Sequence, residues 1–147
     1  MSFAPKNQDF TWPRVGVGVV VLTPAGIVLM RRAPGKHGAG TWSLPGGALE
    51  LGESLVDCAA RETMEEIGVR LSGAELLPAV TEDLFPEHGQ HWVTHYVLAR
   101  TEDSPVNREP HKCDGLGAFW PGALPGPLFV GLSVLAERGL LPVRWTP

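Results

Sequence analysis

The stretch "GALELGESLVDCAARETMEEIGV" (residues 47–69) decides the fold, because it joins a glycine-containing loop to a helix rich in carboxylates. The pattern predicts a helix that begins near Ser54 and runs to Ile67. Ser54 or Glu53 is suited to cap its start, and Gly68 stands where a C-terminal glycine belongs.

Three glutamates, Glu62, Glu65 and Glu66, lie in a five-residue stretch inside this helix. At spacings of three and four, carboxylates share one helical face and repel each other by about 0.2–0.5 kcal/mol per pair. A solvated acidic face is the ordinary explanation of such a cluster. The helical wheel places the three glutamates beside the predicted core stripe, so we expect them to border the core. That stripe consists of Val56, Ala60, Thr63 and Ile67.

Strand-like segments flank this helix on both sides, and a second helix follows. The second helix, "GPLFVGLSVLAERG", is expected to start at Pro127 and to stop at Gly139. The segment "GGALELGE" before the first helix reads as a loop. The order of strands, helix, strands and helix predicts an α+β fold, with mixed sheets sandwiched between helices. The predicted strands are 14–23, 27–32, 41–45, 75–85, 91–100 and 115–120.

The composition of the chain limits the kinds of protein that it can be. A chain of 147 residues with 44% hydrophobic and 19% charged residues favours one folded domain over 1–147, with a loosely ordered segment at 1–12. The net charge of −4 gives no basic footprint for a nucleic acid polymer. Cys58 and Cys113 form neither a disulfide framework nor a metal motif, so we expect both to be reduced. The longest apolar run, 15–22, is too short to span a bilayer, and without a targeting segment the expected location is the cytoplasm.

The constrained letters of residues 47–69 resemble the Nudix box, the signature of MutT-like hydrolases. The letters are Gly47, Glu53, Arg61-Glu62, Glu65-Glu66 and Gly68-Val69. The resemblance implies the Nudix fold, an α/β/α sandwich, and a hydrolase of nucleoside diphosphates linked to another group. Thr63 departs from the pattern, where an aliphatic residue is usual, and we expect only a mild effect on packing.

The resemblance also implies a metal site and its ligands. Mg²⁺, with Mn²⁺ as a substitute, prefers oxygen ligands and neutralises bridging phosphates. The family pattern assigns it the carbonyl of Gly46 and the carboxylates of Glu62, Glu65 and Glu66. Water activated by the metal would then attack phosphorus.

Two further residues of the box complete the predicted catalytic set. Arg61 is out of register with the metal face, and we expect it to hold Glu53 and the loop. The general base stays open between Glu53, Glu62 and a glutamate outside the box.

Substrate contacts rest on a broader resemblance to small nucleotide triphosphate diphosphatases of the MutT-homologue group. It implies a base pocket formed by Leu44, Thr94, Gly131 and Leu132, with Gly47 also near the substrate. Arg31, Arg32 and Lys36 flank a glycine-rich loop, and either bind phosphates or lie on a solvated loop. His37, His91 and His95 either contact a nucleotide or serve a structural role.

Two departures from these relatives bear on substrate choice. Leu116, Gly117 and Ala118 stand where relatives carry a tryptophan-rich strand, which predicts a widened or reshaped surface. Pro86 lies about one residue from a proline position associated with ADP-ribose hydrolases.

The first hypothesis is therefore hydrolysis of an NTP or dNTP, including a modified one, to the monophosphate and pyrophosphate. The second is an ADP-ribose or nucleotide-sugar pyrophosphatase. The third is a non-catalytic binding module of the same fold, although such modules usually lose box glutamates and none is missing here. The resemblance also implies a homodimer.

Overall fold

The computed structural model describes residues 12–147, so the predicted loose segment 1–12 lies, apart from Trp12, outside the described residues. Helix α1 spans Leu55–Ile67 and helix α2 spans Val130–Glu137. Short 3-10 turns cover Pro86–His88 and Pro121–Ala123. The strands are β1 (Arg14–Thr23), β2 (Gly26–Arg32), β3 (Trp42–Ser43), β4 (Gly46–Ala48), β5 (Ser72–Phe85), β6 (Gln90–Arg100) and β7 (Cys113–Phe119).

The seven strands of residues 12–147 form one mixed sheet in the order β3-β2-β1-β6-β5, with β4 also paired to β1 and β7 to β2. Strand β1 runs parallel to β6, in a register that sets Gly16 beside Thr94 and Gly18 beside Tyr96. Strand β5 pairs with β6 in antiparallel fashion. The mixed sheet with a helix on each face confirms the predicted α+β sandwich.

Two hydrophobic clusters, one on each face of the sheet, pack the helices against it. Alternating residues of β1 point to opposite faces, as the period of two in a strand requires. Val17 and Val19 pack with α1, whereas Val20 packs with α2 and its residue Leu135. Within residues 12–147, no helix is long and apolar enough to cross a membrane.

The bounds of α1 confirm the predicted helix, but the predicted core stripe is partly wrong. The Ser54 hydroxyl accepts a hydrogen bond from the Asp57 N–H, and Gly68 adopts the left-handed conformation at the other end. Val56 and Ala60 are exposed. The buried residues are instead Cys58, Ala59, Thr63 and Ile67. The small side chains of Cys58 and Ala59 let this face of the helix approach the sheet closely.

Thr63, the departure from the family pattern, is fully buried. Its hydroxyl donates to the carbonyl of Ala59 at 2.8 Å, one helical turn earlier. The hydroxyl is therefore satisfied inside the helix, and the buried position carries no unpaired donor.

Two other boundaries differ from the sequence predictions. The segment read as a loop contains β4, which pairs with β1 between Gly18 and Gly46. Helix α2 begins at Val130 rather than Pro127, because the preceding residues run beside β3 and bond to its backbone. There the Trp42 N–H donates to Pro127 and the Phe129 N–H donates back to Trp42.

Candidate active site

Arg61 is the centre of a charged cluster that ties α1 to β4 and to the loop between them. Its Nε donates to Glu53 Oε2 at 2.7 Å and its Nη2 donates to Glu53 Oε1 at 3.0 Å. Nη2 also reaches the carbonyl of Ala48 at 3.2 Å, and Nη1 reaches Glu62 Oε1 at 2.9 Å. The bond from Arg61 lowers the pKa of Glu53 to about 2. The contacts predicted between Arg61, Glu53 and the loop are present, while their catalytic roles stay predictions.

Glu62 and Glu66 form a close pair of largely buried carboxylates one helical turn apart. The Glu62 side chain is 14% exposed, and both oxygens of Glu66 accept 3.4 Å bonds from the Gly46 N–H. Burial and the neighbouring Glu62 raise the pKa of Glu66 to about 9. Burial also raises the pKa of Glu62. Two such carboxylates hold a proton when no cation lies between them.

The two glycines of β4 allow this pair to lie against the strand. A Cβ on Gly47 would overlap the carboxylate of Glu62, and a Cβ on Gly46 would overlap the carbonyl of Val17. Gly46 has a φ of +154°, which side-chain-bearing residues rarely adopt. Both positions therefore need glycine, because a side chain there would overlap a neighbouring residue. The Gly46 N–H bonds to Glu66, and the Gly46 carbonyl is the one predicted to bind a cation.

Glu65, the third predicted ligand, does not converge with the other two. Its side chain is 55% exposed and its contact is with Arg61 Nη1 at 3.4 Å. Across residues 12–147, no three His, Cys, Asp or Glu side chains are close enough to hold a metal ion by themselves. Mg²⁺ commonly takes one or two carboxylates and completes its shell with waters and substrate phosphates, so the pair fits it.

An open cleft of about 310 Å³ begins at this glycine strand and crosses the face of the sheet that carries α2. All four residues predicted to form a base pocket line it, and so do Arg32, Gly46 and Gly47. Its floor is β1, where a Cβ on Gly16 would lie 2.9 Å from Thr94 Oγ1. The four predicted residues are Leu44, Thr94, Gly131 and Leu132.

The basic side chains that flank the glycine-rich loop differ in whether they line the cleft. Arg32 lines the cleft, donates from Nε to the His37 carbonyl at 2.6 Å and stacks 4.6 Å above the ring of Phe129. Arg31 lies outside the cleft and pairs with Asp114 at 2.7 Å. Lys36 is exposed and is not among the residues that line the cleft.

The three histidines named in the sequence analysis lie in three different environments. His37 lines the cleft with its ring centroid 3.7 Å from that of Phe85. His91 binds Glu82 at 2.8 Å on the surface. His95 alternates with Thr94 along β6 and so faces the side of the sheet that carries α1.

The two departures from the relatives lie outside the cleft. A Cβ on Gly117 would meet the ring of Phe119, which packs edge-on against Trp42 at 5.3 Å. Two aromatic side chains therefore occupy the surface beside the small β7 residues. Pro86 lies in the 3-10 turn between β5 and β6 and does not line the cleft.

Several cleft residues were missed from the sequence, and Asp83 is the most polar of them. It is 9% exposed and faces the cleft from β5. Alternation along β5 was a usable signal, but the register that brings it beside β6 was not readable from the sequence. The other missed residues are Gly16, Val17, Gly18, Ser43, Pro45, Phe85, Gln90, Trp92, Tyr96 and Phe129.

The family model described as the NUDIX domain matches residues 12–126 of this chain. A putative 8-oxo-dGTP diphosphatase 3 of Mycobacterium tuberculosis is 34% identical over 152 residues, which cover 86% of this chain and 70% of that protein. The m7GpppN-mRNA hydrolase NUDT17 of Xenopus laevis is 30% identical over 121 residues, 75% of this chain and 41% of that protein. The crystal structure of the MutT NUDIX hydrolase of Burkholderia pseudomallei superposes with a TM-score of 0.79. It is 34% identical, and the match covers 86% of this chain and 98% of that one.

Proposed function

Because this chain belongs to the Nudix hydrolase family, whose members act on nucleoside diphosphate derivatives, we propose that it hydrolyses a nucleoside triphosphate. The products would be the nucleoside monophosphate and pyrophosphate. The single observation that carries this proposal is the continuity of the cleft. It runs from Gly46 and Gly47, beside the carboxylate pair, to the apolar and polar walls around Thr94 and Gly131. One nucleotide can therefore span both ends.

A divalent cation, Mg²⁺ or Mn²⁺ in its place, fits the carboxylate end. Glu62, Glu66 and the carbonyl of Gly46 would hold it, with Glu65 recruited only if its exposed side chain leaves Arg61. When bound, the cation supplies charge neutralisation for the phosphate oxygens and increases the acidity of bound water. The raised pKa of Glu66 supports the fit, because a cation replaces the proton that the pair otherwise retains.

The contacts of Glu53 favour a positioning role over a general base. Both of its oxygens accept bonds from Arg61, and Oε1 also accepts the Glu50 N–H at 3.2 Å. A carboxylate engaged in this way is a poor proton acceptor, which its lowered pKa reflects. Glu62 remains as the box residue that faces Gly47 on the cleft wall, and we assign it proton acceptance from the attacking water.

The phosphates would lie between the carboxylate end and Arg32. Arg32 lines the cleft, where burial lowers its pKa and the nearby Cys113 and Glu66 oppose that shift. A guanidinium in this position can bind phosphate through two parallel N–H donors. Arg31 is already paired with Asp114 and is left out of this role.

The exposed apolar row on edge strand β5 supports a homodimer. Leu76, Val80 and Leu84 are 56%, 50% and 61% exposed. Edge strands with such a face pair readily with another copy. Light scattering after size exclusion would test this, and a mass equal to one chain at micromolar concentration would contradict it.

Product analysis tests the proposed reaction. Purified protein with Mg²⁺ is given common and oxidised NTPs and dNTPs, ADP-ribose and a 5′-capped oligonucleotide, and ³¹P NMR identifies the products. Pyrophosphate and a monophosphate from one or more triphosphates would support the proposal. Two monophosphates from ADP-ribose alone, or cleavage of the cap alone, would replace it. No product from any substrate would favour the non-catalytic module.

A further inference from the structure

Asp83 is a buried acid in the cleft that the proposed chemistry does not use. It lies on β5, where its cross-strand neighbour is Trp92, and the next pair on the same face is Thr81 with Thr94. It is 9% exposed, and it lines the cleft together with Thr94 and Trp92. Asp83 is therefore at the base end of the cleft, away from the carboxylate pair on α1.

The carboxylate of Asp83 has no hydrogen-bond donor among residues 12–147. The titratable neighbour that affects it is His37, whose own pKa is lowered, chiefly by burial. A neutral imidazole does not balance the charge of a carboxylate. No fully enclosed side-chain oxygen of residues 12–147 lacks a partner, so the Asp83 oxygens open into the cleft, where a ligand can bring the donor that the folded chain does not supply.

The first turn of α2 adds donors to the same cleft. Phe129 stands at the N-cap and its side chain makes no capping bond. Gly131 and Leu132 line the cleft, and their N–H groups have no partner within the helix and none elsewhere in the described chain. The cleft therefore offers an acceptor at Asp83 and donors at α2.

We propose that Asp83 is a specificity-determining residue that accepts two adjacent N–H donors from the nucleotide base. This inference rests on the proposed function and names the base class for the same cleft. An ionised carboxylate only accepts hydrogen bonds, and its two oxygens match a parallel pair of N–H groups. Guanine-type bases present such a pair at N1 and N2, next to a carbonyl that the N–H groups of α2 can bind.

The other bases fit this arrangement poorly. Adenine and cytosine each present a ring nitrogen acceptor beside their amino group, and thymine presents one N–H between two carbonyls. Each would place at least one lone pair against the carboxylate. A site built to bond a donor discriminates strongly against analogues that lack it.

Binding of the four deoxynucleoside monophosphates tests the inference without requiring turnover. Calorimetry compares wild type, Asp83→Asn and the matched control Glu82→Gln, whose carboxylate is the exposed neighbour on the outer face of β5. We expect wild type to prefer dGMP, and Asp83→Asn to weaken dGMP binding by about tenfold to a hundredfold. The asparagine amide offers one donor and one acceptor, so the variant should gain affinity for dAMP relative to dGMP. Glu82→Gln should leave all four affinities unchanged.

Two results would overturn the inference: a wild-type protein without preference for dGMP, or a dGMP-to-dAMP ratio that Asp83→Asn leaves unchanged. Asp83→Ser, which removes the paired acceptor without adding an amide, should lose the preference without gaining one for dAMP. Pyrophosphate release measured in parallel separates the two proposals. Equal release from all dNTPs in wild type and variant refutes the role of Asp83 alone, whereas base-selective binding without pyrophosphate refutes the triphosphatase alone.

Discussion

Glu66→Gln should abolish most turnover and at the same time stabilise the metal-free protein. Glu66 lies beside Glu62 in a largely buried position, and its pKa is raised to about 9. Glutamine keeps the shape, still accepts the Gly46 N–H through its carbonyl, and can donate its amide N–H to Glu62. The substitution therefore removes the burial cost of an ionisable group while it removes a predicted cation ligand.

The size of this stabilisation follows from the two pKa values. In the unfolded chain the carboxyl ionises near 4.5, whereas in the folded protein it stays protonated up to about 9. At pH 7, about 2.5 pH units above the pKa in the unfolded chain and still below that in the folded protein, this linkage is worth about 3 kcal/mol against folding. For a chain of this length, relief of that cost raises Tm by about 5–10 °C.

The sign of the pH dependence is fixed by the same linkage. Between pH 4.5 and 9 the folded protein binds more protons than the unfolded chain, so wild-type stability contributed by this group falls as pH rises. The gap between Glu66→Gln and wild type should therefore be near zero at pH 4.5 and widen toward pH 9. Addition of Mg²⁺ should raise the Tm of wild type more than that of the variant, because the cation binds the folded carboxylate pair.

Thermal unfolding in EDTA between pH 4.5 and 9 provides the measurement, with Glu65→Gln as the matched control. Glu65 sits one residue earlier but its side chain is 55% exposed, so its neutralisation should change stability by less than about 0.5 kcal/mol. If Glu66→Gln is no more stable than Glu65→Gln, or if its advantage does not grow with pH, the carboxylate pair is not the strained centre inferred above. Wild-type-like turnover in Glu66→Gln would refute the cation assignment.

Three further substitutions test separate parts of the site. Gly47→Ala should lower kcat by at least about tenfold, because its Cβ overlaps the Glu62 carboxylate, while circular dichroism shows a retained fold. Arg32→Gln should raise KM for a triphosphate by about tenfold, whereas the matched Arg31→Gln should leave KM within about twofold, as steady-state kinetics will show. Arg61→Lys should lower the free energy of unfolding by about 1–3 kcal/mol, since an ammonium cannot reproduce the two-point bond to the loop carboxylate, and urea denaturation measures this.

The sequence predicted most elements whose signal is local. Strand β1 matches its β-branched run, and α1 begins and ends where Ser54 and Gly68 indicate. Strand β4 was missed because its residues, Gly46–Ala48, carry no strand propensity and pair with β1 only through backbone contacts set by the whole fold. The start of α2 was misplaced for a similar reason, since the backbone of Trp42 holds Pro127 in an extended segment.

The same division applies to the candidate site. The glutamates were identified because their spacing lies within one helix, where sequence distance translates directly into a shared face. Their difference in burial was not readable, because it depends on where β4 and Arg61 lie. Asp83 was missed since its place opposite Trp92 follows from the β5–β6 register, which has irregularities between Leu76 and Val80. A shift of one residue would have turned the Asp83 side chain to the outer face.

The locations of the unfavourable features in this fold argue that the cleft is the functional site. The buried carboxylate pair costs stability where it stands, and Asp83 and the first N–H groups of α2 have no protein partner in the cleft. Elsewhere in residues 12–147, buried polar groups are satisfied, as with the Thr63 hydroxyl, which donates to the carbonyl of Ala59 at 2.8 Å. A fold that pairs its polar groups outside the cleft and leaves those inside it open retains them for a ligand that brings the missing partners. A cation satisfies the pair on α1, a base edge satisfies Asp83, and a nucleoside triphosphate with its metal supplies both at once.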